Sequence, residues 1–250
     1  MKNPIGMDDV PYFSYKLVDN GSDEKLTAYQ IIVDDGTMIM WNSGRVPKDK
    51  QLLIKYDGKS LKPQTRYFWR VLAWNNHGEC SESQQAYFET GLMQPFQWEA
   101  KWITADPQGI MVGNKTGSHT TAPYMRREFS VSKPVFDATL YVSGLGYYEC
   151  YINGKSVKDT VLDPAFTEYD KAVMYRTHKV TNIVQGNNAI SVVLGDGFYN
   201  ADTDDVWNFV NAAWRDHSKC ILILSIKYED GTREEIVSDQ SFKGTKGPIL

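Results

Sequence analysis

Apolar positions in this chain recur in short runs at a spacing of two, not in the three-and-four spacing of amphipathic helices. Such runs stand at Ala28–Val33, Tyr67–Asn75, Ala138–Val142, Ala189–Leu194 and Cys220–Tyr228. Side chains on an extended strand alternate between its faces, so each run predicts a strand with a buried side. Between the runs lie dipeptides that accept positive φ, namely Asp35-Gly36, Asp57-Gly58, Asn153-Gly154 and Asp230-Gly231. The strongest is Asn153-Gly154, because Tyr147–Ile152 leads into it and Lys155–Val157 leads out. No stretch reads as a long helix. Short strands punctuated by turns at this spacing predict an all-β fold of sandwich type.

Residues 61–75, LKPQTRYFWRVLAWN, place Leu61, Pro63, Thr65, Tyr67, Trp69, Val71 and Ala73 on one face, with Arg66 and Arg70 on the other. A proline-shaped turn leading into a strand anchored by an inward Tyr resembles the fibronectin type III pattern. Trp41 and the closing run Ala86–Gly91 fit the same resemblance, and a boundary falls near Gly91–Pro95. The expected architecture is a fibronectin III-like sandwich over residues 1–93. A jelly-roll-like β-sandwich follows over 94–250 and is cut short at its C-terminal end. This second domain opens with Gln97–Thr104, passes through a polar loop over Asp106–Thr121 and resumes at Met125–Ser130.

Composition narrows the classes. Hydrophobic residues are 42% and charged residues 23%, which suits a globular chain and excludes general disorder. Aromatics reach 13%, favouring half-buried pleated surfaces and leaving rings available to stack on sugars. A net charge of −4, with no cluster of Lys and Arg, offers no field for a phosphate backbone, so nucleic acid is excluded as a partner. No run approaches the ~18 apolar residues of a membrane span. The opening MKNPIGMDDVPYFSYK lacks the apolar core of a signal peptide. An exported location, periplasmic or extracellular, is expected, with a cytoplasmic one as the alternative.

Three ordered blocks in the second half carry the sharpest resemblance: SGLGYYECYINGKSV at 143–157, LDPAFTEYDKAVMYRTHKVT at 162–181 and GNNAISVVLGDGFYN at 186–200. They resemble the N-terminal β-domain of bacterial α-L-rhamnosidases of glycoside hydrolase family 78. Upstream, Ala100–Ile103 and Arg126–Phe129 fit the same domain, while Thr27–Ile31, Trp41–Gly44, Tyr67–Val71 and Phe88–Gly91 fit the sandwich that precedes it in such enzymes. The resemblance implies a parent that hydrolyses terminal α-L-rhamnosyl residues of glycans. Its acid and base carboxylates would sit in a downstream (α/α)6 barrel, which is then this chain's partner. No catalytic residue is carried over to these 250 positions. An autonomous calcium-dependent carbohydrate-binding module and a purely structural spacer remain alternatives.

The segment from Asp196 to Asn208 is the one cluster that suggests chemistry of its own. It holds Asp196, Asp202, Asp204 and Asp205 with no cation before Arg215. Asp202, Asp204 and Asp205 are candidate ligands for calcium, a hard ion that would relieve their repulsion. Asn200, Trp207 and Asn208 are candidate contacts to a rhamnose-containing glycan, supplying a ring and amides. An acidic loop that covers a neighbouring domain is the competing reading. Glu149 shares a strand face with Tyr147 and Tyr151, which would suit a sugar platform, but a structural glutamate at the domain edge is the preferred reading. Cys80, Cys150 and Cys220 match no metal spacing and are expected to be buried, inert thiols. His77, His119, His178 and His217 form no i, i+4 pair and are expected at the surface. Ser143 and Ser191 lie in no G-x-S-x-G context, so no nucleophile elbow is present.

Overall fold

A computed structural model describes residues 2–18, 23–93, 98–106, 109–112, 122–158, 160–201 and 207–247. The chain divides into two compact units, Met1–Gln97 and Trp98–Leu250.

The first unit contains β1 (Tyr12–Phe13), β2 (Leu26–Asp34), β3 (Ile39–Asn42), β4 (Ile54–Lys55), β5 (Arg66–Asn75), β6 (Cys80–Glu82) and β7 (Ala86–Glu89). One antiparallel sheet runs β3-β2-β5-β6, with β7 also on β5, and a small sheet pairs β1 with β4. The period-two pattern of β5 is realised: Tyr67, Val71 and Ala73 are buried, and Trp69 packs against the core. Ile31 and Val33 of β2 and Phe88 of β7 complete that core. The Tyr67 hydroxyl accepts a hydrogen bond from the Lys62 backbone N–H at 2.8 Å. This ties the turn to the strand it leads into, the tyrosine corner of immunoglobulin-like sandwiches.

The second unit contains β8 (Ile103–Asp106), β9 (Gly109–Val112), β10 (Pro123–Val131), β11 (Val135–Leu145), β12 (Tyr147–Ile152), β13 (Lys155–Ser156), β14 (Arg176–Lys179), β15 (Gly186–Gly195), β16 (Lys219–Tyr228), β17 (Arg233–Val237) and β18 (Lys243–Lys246). One sheet is ordered β13-β12-β15-β10-β18; the other is β14-β11-β16-β8-β9, with β17 on β16. Leu140, Val142, Leu222 and Leu224 from one sheet meet Cys150, Ile152, Ile190 and Val192 from the other in a single core. The all-β expectation is borne out. Part of the stretch read as a polar loop from Asp106 is instead the β8–β9 hairpin, and residues 113–121 lie outside the described residues.

Turn chemistry separates two kinds of glycine. At Asn153-Gly154 both residues have positive φ, 50° and 77°, and β12 pairs with β13 across them, as a two-residue hairpin of type I′ requires. The Asn153 amide pins the turn by donating to the Asn182 carbonyl and to Asn188 Oδ1, both at 2.9 Å, while its oxygen accepts from the Ala189 N–H. Gly58 departs from the expectation. It has no positive φ, and a Cβ there would lie 2.5 Å from Trp41 Cβ and 2.6 Å from the Met40 carbonyl oxygen. Space, not handedness, requires glycine at 58.

The expectations for Cys and His need correction. Cys150 and Cys220 are buried, but Cys80 is exposed on β6, since its period-two neighbours do not reach the core. His217 is buried, and His178 is half-buried with Nε2 3.1 Å from the Tyr148 hydroxyl. Both follow strands or loops that turn inward, a matter of tertiary packing that spacing alone does not report.

Candidate functional site

Two long connections of the second unit meet at one end of the sandwich. The first joins β13 to β14 and the second joins β15 to β16. The register explains the meeting: Tyr147 pairs with Gly195, Leu145 with Lys219 and Val142 with Arg176, so the start or finish of each connection lies at the same strand ends.

Six rings from these connections contact one another. Phe166 lies 5.7 Å from Phe198 and 5.4 Å from Phe209, and Phe198 lies 5.7 Å from Phe209. Tyr169 touches Phe166, Tyr199 and Trp214 at centroid distances of 5.5, 5.2 and 6.1 Å. Such pairs add about 0.5–1.5 kcal/mol each beyond the area they bury, so the rings tie together two loops that carry little regular structure. Burial pushes the Tyr169 and Tyr199 phenols up to about 12, and both stay neutral at physiological pH. The phenylalanines remain accessible, with Phe198 44% and Phe166 45% exposed.

Polar groups in and beside these connections are consumed internally. Asp196 Oδ1 accepts from the Ser218 hydroxyl and, at 3.0 Å, from the Asn200 amide. Asp163 is buried, accepts from the Thr160 hydroxyl and pairs with Arg176 Nε at 3.2 Å. Lys219 is buried and pairs with Asp216 at 2.7 Å. The indole N–H of Trp214 and Nε of Arg215 are buried without a hydrogen-bond partner among the described residues.

The residues singled out in the sequence are distributed unevenly over this end. Asn200 is buried and bonded to Asp196. Trp207 is 73% exposed, and Asn208 is exposed in the left-handed conformation, where it precedes a short 3-10 turn over Phe209–Asn211. Asp202, Asp204 and Asp205 lie outside the described residues. Among the described residues no group of three His, Cys, Asp or Glu side chains is placed to hold a metal ion. Glu149 pairs with the buried amine of Lys158 at 3.0 Å, which accounts for it structurally. Sequence reasoning passed over the cluster of Phe166, Tyr169, Phe209 and Trp214. The available signal was the concentration of aromatics in connections rich in Asp, Asn and Gly, where loops ordinarily carry few.

Fold and site together define a class: a tandem β-sandwich chain whose first unit is immunoglobulin-like and whose second ends in an exposed aromatic cluster. Comparison with known proteins supplies the family. Residues 133–250 match the α-L-rhamnosidase N-terminal domain, and residues 1–94 match the Rha78A-like N-terminal immunoglobulin domain. An α-L-rhamnosidase of Formosa agariphila is 34% identical, aligned over 99% of this chain and 29% of its own length. The solved α-L-rhamnosidase from Dictyoglumus thermophilum superposes on 100% of this chain and 29% of its own, with a TM-score of 0.86 and 39% identity. The enzyme from Aspergillus terreus gives the same TM-score at 28% identity, over 99% of this chain and 28% of its own. Along nearly its whole length the chain corresponds to the N-terminal β-domains of α-L-rhamnosidases. It spans under a third of the length of the relatives it matches.

Proposed function

We propose that this chain is the accessory N-terminal part of an α-L-rhamnosidase, with hydrolysis of terminal α-L-rhamnosyl residues performed by the remainder of a longer protein. In this reading the aromatic end of the second unit packs against that remainder. The observation that carries it is the contacting trio Phe166, Phe198 and Phe209, two of whose rings are nearly half exposed. Contiguous exposed rings of this kind mark a surface that is covered in the working protein. The test compares the 250-residue chain with the protein extended through the rest of its reading frame. Phe166→Asp with Phe198→Asp should lower the Tm of the extended protein by clearly more than it lowers that of the short chain. Equal effects on both, or none on the extended protein, overturn the reading. The short chain should also fail to turn over an aryl α-L-rhamnoside, and turnover that survives repurification overturns it as well.

A second reading is favoured by Trp207, which is 73% exposed and is followed in sequence by the exposed Asn208. It makes the same end a sugar site aided by calcium on Asp202, Asp204 and Asp205. Thermal melts with calcium or chelator, followed by rhamnose titration, separate the two. A calcium shift that is lost in Asp204→Asn with Asp205→Asn supports the second reading. An unmoved Tm and no heat with rhamnose sink it.

A further inference from the structure

The outer face of the β10-β12-β15 sheet bears a cleft lined by residues outside the two connections described above. On this face β15 presents Asn187, Ala189 and Ser191, while its register sets Ser130, Glu128 and Arg126 of β10 beside them in the same order. The Asn153-Gly154 turn closes the other flank, and Tyr151 stands across from Ser191 on β12. Long side chains thus flank a floor of short ones in an open cleft of about 680 Å³. That volume lies within the range of small-ligand sites. From Asn187 to Ser191 the floor runs about 13 Å at the rise of a strand, the length of a short oligosaccharide rather than of a single ring.

The lining chemistry restricts the occupant. Arg126 and Glu128 pair at 2.6 Å while both stay more than half exposed, so donors and acceptors stand side by side with no net charge. The Asn187 amide and the Ser130 and Ser191 hydroxyls have no hydrogen-bond partner among the described residues. β15 is hydrogen-bonded to β10 on one edge and β12 on the other, so its backbone has nothing to offer an added peptide strand. Ala189 and Phe129 are the apolar residues of the lining, and Phe129 is held in the core beneath it, which leaves too little for the anchors a protein partner needs. A balanced ion pair gives no preference for phosphate. What remains is a molecule dense in hydroxyl groups that both donate and accept.

We propose that this sheet face binds a short, neutral oligosaccharide through Arg126, Glu128, Asn187 and Ser191. The site is separate from the aromatic end, so it stands whether or not that end packs against a further domain. Binding is measured by calorimetry on the full 250-residue chain, with rhamno-, cello- and malto-oligosaccharides as probes. At least one class should bind. Asn187→Ala should weaken it about tenfold, the loss expected for one removed hydrogen bond. Ser191→Phe, which fills the cleft from its floor, should abolish it. Thermal melts establish that both variants fold, and Asn187→Ala carries the test if Ser191→Phe does not. Three results overturn the proposal: no probe binds, binding survives in folded Ser191→Phe and Asn187→Ala, or binding is lost in Trp207→Ala while persisting in the cleft variants. The last would place the sugar in the end loops instead.

Discussion

Glycines 58 and 154 are required for opposite reasons, and substitution should expose the difference. At Gly154 φ is +77° and nothing lies within 4 Å of an added Cβ, so only backbone handedness is at stake. An L-residue held there costs about 1–2 kcal/mol, and asparagine less than alanine because its short polar side chain tolerates the left-handed region. At Gly58 the backbone suits any residue, but an added Cβ would meet Trp41 Cβ at 2.5 Å, the Met40 carbonyl at 2.6 Å and the Tyr56 ring at 2.6 Å. Two of those neighbours belong to a packed strand and cannot swing aside, so Gly58→Ala should cost about 1–3 kcal/mol by overpacking. A larger asparagine should cost more. The order of effects is therefore inverted between the sites: Ala worse than Asn at 154, Asn worse than Ala at 58. Urea unfolding followed by tryptophan fluorescence gives the free energies as midpoint times slope. The Tm should fall by roughly 2–4 °C per kcal/mol in a chain of this size. If Gly154→Asn is as damaging as Gly154→Ala, the turn is not governed by handedness. If Gly58→Asn is milder than Gly58→Ala, close approach is not what excludes a side chain there.

Other expectations follow from single contacts. Tyr67→Phe removes the acceptor of the Lys62 N–H and should cost about 1–2 kcal/mol in the first unit's unfolding, with little change in the slope against urea. Asp35 accepts from the Thr37 hydroxyl, with the Met38 and Thr37 N–H groups adding to it, and its carboxyl falls from 3.8 to about 2. A lowered carboxyl pKa stabilises the folded state above the unfolded value and ceases to do so as pH falls through the folded one. Acid titration between pH 4 and 2 should therefore destabilise the wild-type chain more steeply than Asp35→Ala. Burial pushes the Cys150 thiol up to about 12 and raises Cys220 likewise, whereas Cys80 is exposed. A disulfide reagent should titrate one thiol quickly in the folded chain and none in Cys80→Ser, with all three reacting in denaturant. A fast-reacting thiol in Cys80→Ser would mean that the second core opens.

The strands were legible because burial on one face imposes a period of two, and that period survives in Tyr67, Val71 and Ala73 of β5 and in the alternation of β12. The Asn153-Gly154 hairpin was legible because few dipeptides accept positive φ twice in succession. Local chemistry of this kind is written in consecutive residues. Gly58 looked like one more turn glycine, since the atoms that exclude a side chain there belong to Trp41 and Met40, distant in the chain. The aromatic end escaped for the same reason: Phe166 and Phe198 become neighbours only when strand register carries their loops to one end of the sandwich. Glu149 read as structural from the sequence, but its partner, the Lys158 amine, was assigned only by folding. The cleft on the sheet face is likewise a property of register, since Arg126 and Ser191 are paired across strands. Residues near one another in sequence determined the elements and the family pattern. Which surfaces are grooved, covered or paired was decided by contacts between residues far apart in the chain, whose partners the folded structure alone assigns.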